Sequence, residues 1–159
     1  MSTSKQPGYW FGLIGAPKSG KTHACVSAAK LPGEKYAFVA PVGEMTAYAD
    51  SGIVAEPYFD EEWRPSERKF VSTGYARMMA KLKELESKPE LGVVIFDTMN
   101  RGPSELVWHY CLSGYGTDDP RELGGNSRQP YVTYNSRMTE LLERLDILRY
   151  KTGCHIITT

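Results

Sequence analysis

Short apolar runs and longer amphipathic segments follow one another along the chain, and they predict strands and helices in turn. Nearly continuous apolar runs are typical of buried parallel strands. Four such runs lie at residues 9–14, 36–40, 91–97 and 155–159, and a further short strand is predicted near residues 53–54. Strands that alternate with helices indicate a parallel sheet covered on both faces, so the sequence predicts an α/β fold with three layers.

Two longer segments show the helical spacing of apolar residues. The first follows the N-cap candidates Ser72 and Thr73 and stops before Pro89. The second begins near residues 131–135 and is closed by Gly153. The buried stripe of this last helix is predicted to contain Met138, Leu141, Leu142, Leu145 and Leu148.

The segment from Gly15 to Thr22 fits the phosphate-binding pattern G-x-x-x-x-G-K-[ST], the P-loop. A predicted strand leads into it, and a predicted helix from Lys21 to about Lys30 leads out. Glycines let the backbone wrap a phosphate, and successive N–H groups supply positive potential. We expect Lys21 to reach the β- and γ-phosphates and the Thr22 hydroxyl to ligate Mg²⁺. The predicted nucleotide contacts are Gly15, Ala16, Pro17, Lys18, Ser19, Gly20, Lys21, Thr22 and His23.

An acidic residue, Asp97, ends the third apolar run and is the predicted partner of the P-loop in holding Mg²⁺. The alternative is a strand-end aspartate that caps a turn. Many P-loop ATPases place a glutamate directly after this aspartate, but here Thr98 occupies that position. Glu44, which follows the second strand, is therefore the predicted catalytic residue that orients the attacking water. A surface acid without a role is the alternative, and the prediction favours Glu44 if its strand lies next but one to the nucleotide strand.

Two further regions carry candidate contacts. Thr158, or its neighbour Thr159, ends the last strand and is a candidate contact to the γ-phosphate. The glycine-rich segment 113–130 is too long for a plain connector, and long loops in compact domains are often functional. Since ligands bind outside the carboxyl ends of parallel strands, we expect the P-loop, Glu44, Asp97 and the terminal threonines to meet at one edge of the sheet.

Composition narrows the classes of protein. The 159 residues predict one domain, with a disordered leader over residues 1–8 and a core over residues 9–159 that contains the P-loop. Nineteen basic and nineteen acidic residues cancel, which excludes a generally basic nucleic-acid binder. Three widely spaced cysteines without a C-x-x-C pattern indicate neither a zinc site nor a disulfide framework. A reducing, cytosolic compartment is the location that this cysteine usage predicts. No apolar run approaches the roughly 20 residues of a membrane helix.

The order of these parts resembles the RecA-like ATPases, and more narrowly the phage-encoded ATP-binding proteins of the single-strand annealing and recombination type. The resemblance is carried by the P-loop and by residues 93–98, 131–142 and 155–159, which are similar to that family's Walker B strand, helix and sensor strand. It implies Mg²⁺-dependent ATP hydrolysis, action on single-stranded DNA, a homo-oligomer and the host-cell cytoplasm. It also favours Glu44, because the catalytic glutamate of RecA-like proteins follows the second strand.

The resemblance also implies a DNA-binding loop after the Walker B strand, a place that segment 113–130 takes here. Tyr115, Arg121 and Arg128 are the residues suited to base stacking and phosphate contact. An ordinary mobile loop is the alternative. A RecA core continues past the sensor strand, whereas this sequence stops at Thr159, so we expect a core truncated after its fourth strand.

Three other functions stay open at this point. A DNA-packaging motor ATPase would favour an acid at position 98, and a small-molecule kinase would favour a lid richer in arginine than segment 113–130. The third is a module that binds nucleotide without hydrolysing it. A GTPase is not favoured, because no Asn-Lys-x-Asp segment is present.

Overall fold

The computed structural model describes residues 6–40, 42–58, 61–64, 69–117, 119–126 and 128–159. Within these ranges the strands are β1 (Trp10–Gly12), β2 (Glu34–Val39), β3 (Val54–Pro57), β4 (Glu61–Arg64), β5 (Lys69–Ser72), β6 (Leu91–Asp97) and β7 (His155–Thr158). The α-helices are α1 (Lys21–Ser27), α2 (Gly74–Leu85), α3 (Glu105–Ser113) and α4 (Gln129–Thr152). Short 3₁₀ helices span Ala28–Lys30, Val42–Tyr48 and Pro120–Asn126, and a π-helical turn, Asn100–Ser104, precedes α3.

Five of the strands form one parallel sheet in the order β1-β7-β6-β2-β3. This confirms the predicted α/β class with a mostly parallel sheet. Because the strands are parallel, their carboxyl ends share one edge, and the P-loop, the helix Val42–Tyr48, Asp97 and Thr159 all follow strands there. The remaining two strands, β4 and β5, pair with each other in an antiparallel hairpin.

The sheet is covered on both faces, because successive residues of a strand point to opposite sides. On one face Phe38, Val94, Phe96 and Ile156 belong to a core that α2, α3 and α4 complete. On the other face the strands contribute their alternate residues to a smaller core. That second core contains Cys25, Ala28, Ala37, Val39, Tyr48, Ile53, Val93, Ile95 and Ile157.

Helix α4 largely follows the predicted pattern, with one correction. Leu141, Leu145 and Leu148 are fully buried, but Leu142 is 41% exposed and does not belong to the stripe. The reason is angular, since one residue step turns the side chain by about 100° around the helix axis. Gly153 adopts a left-handed conformation (φ 77°) and ends the helix as predicted.

The region between β2 and α2 departs most from the sequence prediction. The sequence predicts only a short strand near residues 53–54 here, whereas the structure has the helix Val42–Tyr48 and the β4–β5 hairpin in addition to strand β3. Local patterns this short give too few residues to establish a period. Of the predicted disordered leader, residues 1–5 lie outside the described residues, while Gly8 is buried against the backbone of Cys154.

Across the described part of the chain, none of the helices combines the length and the apolar character that a bilayer-spanning helix requires.

Candidate functional site

The P-loop leaves β1 as an exposed turn and enters α1 at Lys21. Gly20 adopts a left-handed conformation (φ 87°) with open space around it, so its backbone conformation and not crowding favours glycine. The Ser19 amide donates to the Ala16 carbonyl at 3.2 Å and tightens the turn. The Lys21 ammonium donates to the Gly15 and Ala16 carbonyls, both at 2.9 Å. These two carbonyls use two of the three N–H donors of the ammonium, so one donor remains for a phosphate, and a second contact to phosphate requires the ammonium to leave a carbonyl.

Glu44 reaches the P-loop directly. The Thr22 hydroxyl donates to Glu44 Oε2 at 2.5 Å. Strand β2 is not next but one to β1, as the sequence argument had supposed, because β7 and β6 both lie between them. The helix Val42–Tyr48 instead carries Glu44 back across the edge of the sheet to the first turn of α1. The structure thus brings together the predicted catalytic residue and the predicted metal ligand of the P-loop.

Asp97 ends β6 and is fully buried. Its two carboxylate oxygens accept different hydroxyl donors: Tyr48 donates to Oδ2 and Thr159 donates to Oδ1, both at 2.8 Å. The peptide bond from Asp97 to Thr98 is cis. Among the described residues no lysine or arginine forms an ion pair with Asp97. Within the described part of the chain the carboxylate is therefore held by the neutral hydroxyl groups of Tyr48 and Thr159.

Tyr48 is the site residue that sequence reasoning missed. It is 1% exposed and joins Asp97 across 49 positions of the chain, a separation over which sequence spacing carries no signal. The Cys25 thiol lies within hydrogen-bonding reach of the same hydroxyl. Burial, with the nearby Asp97 carboxylate adding to it, raises the pKa of Cys25 to about 12 and the pKa of Tyr48 above its ordinary value. Both groups keep their protons at neutral pH, so Tyr48 acts as a donor to Asp97.

The oxygen donors fit the predicted Mg²⁺ ion. Mg²⁺ prefers carboxylate and hydroxyl oxygens and usually keeps several waters, using one or two protein groups together with substrate phosphates. Thr22 and Asp97 supply such oxygens, and each Asp97 oxygen accepts one hydrogen bond from the described residues, which leaves lone pairs for a metal. Since no described lysine or arginine pairs with this buried carboxylate, a cation bound there would remove a desolvation penalty. In the described residues no three His, Cys, Asp or Glu side chains are grouped to hold a metal by themselves.

Thr158 and Thr159 face different neighbours. The Thr159 hydroxyl bonds to Asp97, whereas the Thr158 hydroxyl donates to the Phe11 carbonyl of β1 at 3.4 Å. Side chains alternate along an extended chain, so only one of the two can join the carboxylate. The contact of Thr158 with a γ-phosphate stays a prediction, and Thr159 is the threonine that the structure brings to Asp97.

The residues predicted to contact DNA lie in and beside the glycine-rich segment. Arg121 is exposed but forms a two-pronged ion pair with Asp119, at 2.6–2.9 Å, which lowers the pKa of that carboxyl. The Tyr115 hydroxyl lies 3.2 Å from the Thr133 hydroxyl on α4. Arg128 directly precedes α4 and is exposed. Arg121 is highly exposed, but its guanidinium is already paired with Asp119, so a phosphate would compete with that carboxylate for it.

No protein-family model matches the chain, and no curated protein is significantly similar to it.

Proposed function

We propose that this protein is a Mg²⁺-dependent ATPase of the RecA-like class that acts on single-stranded DNA in phage recombination or annealing. The observation that carries the proposal is the hydrogen bond from Thr22 to Glu44, at 2.5 Å. It joins the hydroxyl expected on the metal to the only carboxylate that the sequence offered as a catalytic group. The α/β fold with a parallel sheet, in which β7 separates the P-loop strand from the Asp97 strand, is compatible with this class.

Each residue then has a distinct role. Lys21 exchanges its two carbonyl partners for phosphate oxygens and offsets their charge as it spreads in the transition state. Thr22 and Asp97 provide the oxygens that hold Mg²⁺, which neutralises charge on the phosphates when bound. Glu44 orients the attacking water and accepts its proton. Since the Thr22 hydroxyl has one hydrogen and two lone pairs, it can donate to Glu44 and still offer an oxygen to the metal.

The DNA part of the proposal depends on the resemblance and on the exposed groups of segment 113–130. Stacking on Tyr115 and phosphate contacts of Arg128, with Arg121 once Asp119 releases it, would hold an unpaired strand without reading its sequence. Because the net charge of the chain is zero, such binding has to be local and sensitive to salt.

ATP turnover of the purified chain, measured with and without Mg²⁺ and with and without an oligothymidine strand, tests the proposal. We expect turnover that requires Mg²⁺ and rises when the DNA is added. In the Arg121→Ala/Arg128→Ala double variant, DNA affinity falls and its salt dependence weakens, because two phosphate contacts are lost. Nucleotide binding without turnover, unchanged by DNA, would instead identify a binding module. Phosphate transfer to an added metabolite, without hydrolysis, would identify a kinase.

A further inference from the structure

We propose that Tyr48 is a positioning residue of this site, whose hydroxyl fixes the Asp97 carboxylate for the magnesium ion and ties the helix that carries Glu44 to that carboxylate. The inference rests on the proposed function. It deepens that function by adding Tyr48, which connects Asp97, a proposed metal ligand, to the helix that carries Glu44, the residue proposed to orient the water.

The first step is the geometry at Asp97. A carboxylate at the end of a strand can rotate about its side-chain torsions, and a metal-bound water needs one defined oxygen direction. Tyr48 donates to one carboxylate oxygen and Thr159 to the other, both at 2.8 Å, so the plane of the carboxylate is set from two elements. Groups that hold a metal-binding carboxylate by hydrogen bonds typically influence metal affinity strongly when they are removed.

The second step is the helix Val42–Tyr48 itself. Glu44 lies near its beginning and Tyr48 at its end. The first bonds to Thr22 of the P-loop and the second to Asp97 of β6. This short helix therefore connects the first turn of α1 with the end of β6, the two places that would hold the metal, and the position of Glu44 depends on where Tyr48 anchors the helix.

The third step is to separate positioning from packing. Tyr48 is a full member of the smaller core, beside Val39, Ile53 and Ile95, so its ring contributes to stability whatever its hydroxyl does. Tyr48→Phe keeps the ring and removes the hydroxyl alone. If Tyr48 were purely structural, the Tyr48→Phe protein would be less stable, but its turnover would depend on Mg²⁺ as in wild type.

Tyr58 provides a matched control. Its hydroxyl is also buried and also lies close enough to Asp97 for the carboxylate to raise its pKa, an effect second to that of burial. Among the described residues, however, that hydroxyl has no hydrogen-bond partner. Tyr58→Phe thus removes a buried hydroxyl near the same carboxylate without removing a hydrogen bond to it.

The experiment titrates Mg²⁺ at fixed ATP and measures turnover in wild type and in both phenylalanine variants. In Tyr48→Phe the half-saturating Mg²⁺ concentration is expected to rise about tenfold, a size typical for the loss of such a supporting group. The rate at saturating Mg²⁺ should also fall, by about three- to tenfold, because the helix that carries Glu44 loses its hydrogen bond to Asp97 while its packing in the smaller core remains. ATP binding in the presence of a chelator should equal that of wild type. Tyr58→Phe should match wild type in all three measurements.

Four other outcomes are informative. A folded Tyr48→Phe protein with the wild-type magnesium dependence overturns the inference and leaves the proposed function standing. Equal shifts in both variants also overturn it, because the effect would then belong to any buried hydroxyl. A wild-type chain that neither binds nor hydrolyses MgATP overturns both. Should Tyr48→Phe not fold, Tyr48→4-aminophenylalanine keeps a weaker hydrogen-bond donor, and its half-saturating Mg²⁺ concentration is expected to rise about two- to threefold. An unchanged value there would overturn the inference.

Discussion

The two sides of the candidate site are built in opposite ways. On the phosphate side the loop from Gly15 to Gly20 is exposed, and the Lys21 ammonium donates hydrogen bonds to carbonyl groups of that same loop. On the metal side Asp97 is fully buried, and its partners are Thr159, which directly follows β7, and Tyr48 of the helix Val42–Tyr48. The phosphate side can therefore rearrange around a ligand with little loss of stability, whereas the hydrogen bonds on the metal side help to hold the fold together.

This difference indicates which substitutions should change ligand binding alone and which should also change the stability of the fold. Exposed loop groups exchange one hydrogen-bond partner for another, so their loss leaves the core intact. Removing one member of a buried polar cluster leaves other polar groups without partners, and each such group costs on the order of 1–3 kcal/mol. Three substitutions test the contrast, and they follow from the largest expected effect to the smallest.

Asp97→Ala should abolish Mg²⁺-dependent turnover and also lower the free energy of unfolding by about 2 kcal/mol, because the hydroxyls of Tyr48 and Thr159 lose their acceptor. Urea denaturation followed by circular dichroism measures the second effect. Asp97→Asn keeps one acceptor oxygen, so its free energy of unfolding should lie between that of wild type and that of Asp97→Ala. A more stable alanine variant would contradict the expectation and show that the desolvation of the carboxylate outweighs its hydrogen bonds.

Glu44→Gln should reduce turnover by about 10²–10³ while nucleotide affinity stays close to wild type, because the amide oxygen still accepts from Thr22 but cannot take a proton. Single-turnover measurements with saturating MgATP separate the two quantities. Asp50→Asn, an exposed charge change just beyond the same short helix, is the matched control and should behave as wild type. Unimpaired turnover in Glu44→Gln would move the catalytic role to another residue.

Lys21→Ala should weaken nucleotide binding by about 100-fold, the loss expected for charge-assisted hydrogen bonds to phosphate. Its unfolding free energy should stay within about 0.5 kcal/mol of wild type, since the hydrogen bonds that the described residues form with its ammonium come from its own exposed loop. Calorimetric titration with MgATP and urea denaturation measure the two. Lys30→Ala, an exposed lysine at the end of the 3₁₀ helix that follows α1, is the control. Wild-type affinity in Lys21→Ala would refute the assignment of the phosphate site.

Local sequence patterns were sufficient for the sheet and for part of the site. A continuous apolar run predicted β6 with its correct bounds, from Leu91 to Asp97, because a strand buried on both faces needs apolar residues at every position. The P-loop is likewise a contiguous pattern, since its chemistry depends on consecutive backbone groups. In both cases the physical constraint acts within a few neighbouring residues.

The parts that escaped prediction depend on contacts between distant residues. Tyr48 gives no sign of its role in the sequence, because only the strand order brings it to Asp97. Arg121 pairs with Asp119, only two positions away, but the sequence also places other charged residues nearby and so does not identify the partner. Glu44 was proposed for its place after β2, yet its route to Thr22 uses a helix that the sequence did not indicate.

The helix Val42–Tyr48 has a consequence for how this chain can change during evolution. It carries two groups that must meet two different partners at once, Glu44 at Thr22 and Tyr48 at Asp97. Adding or deleting one residue between them would turn one group by about a third of a helical turn relative to the other, so both contacts could not form together. Insertions should therefore accumulate in the glycine-rich segment and be rejected here, where seven residues set the spacing of the whole site.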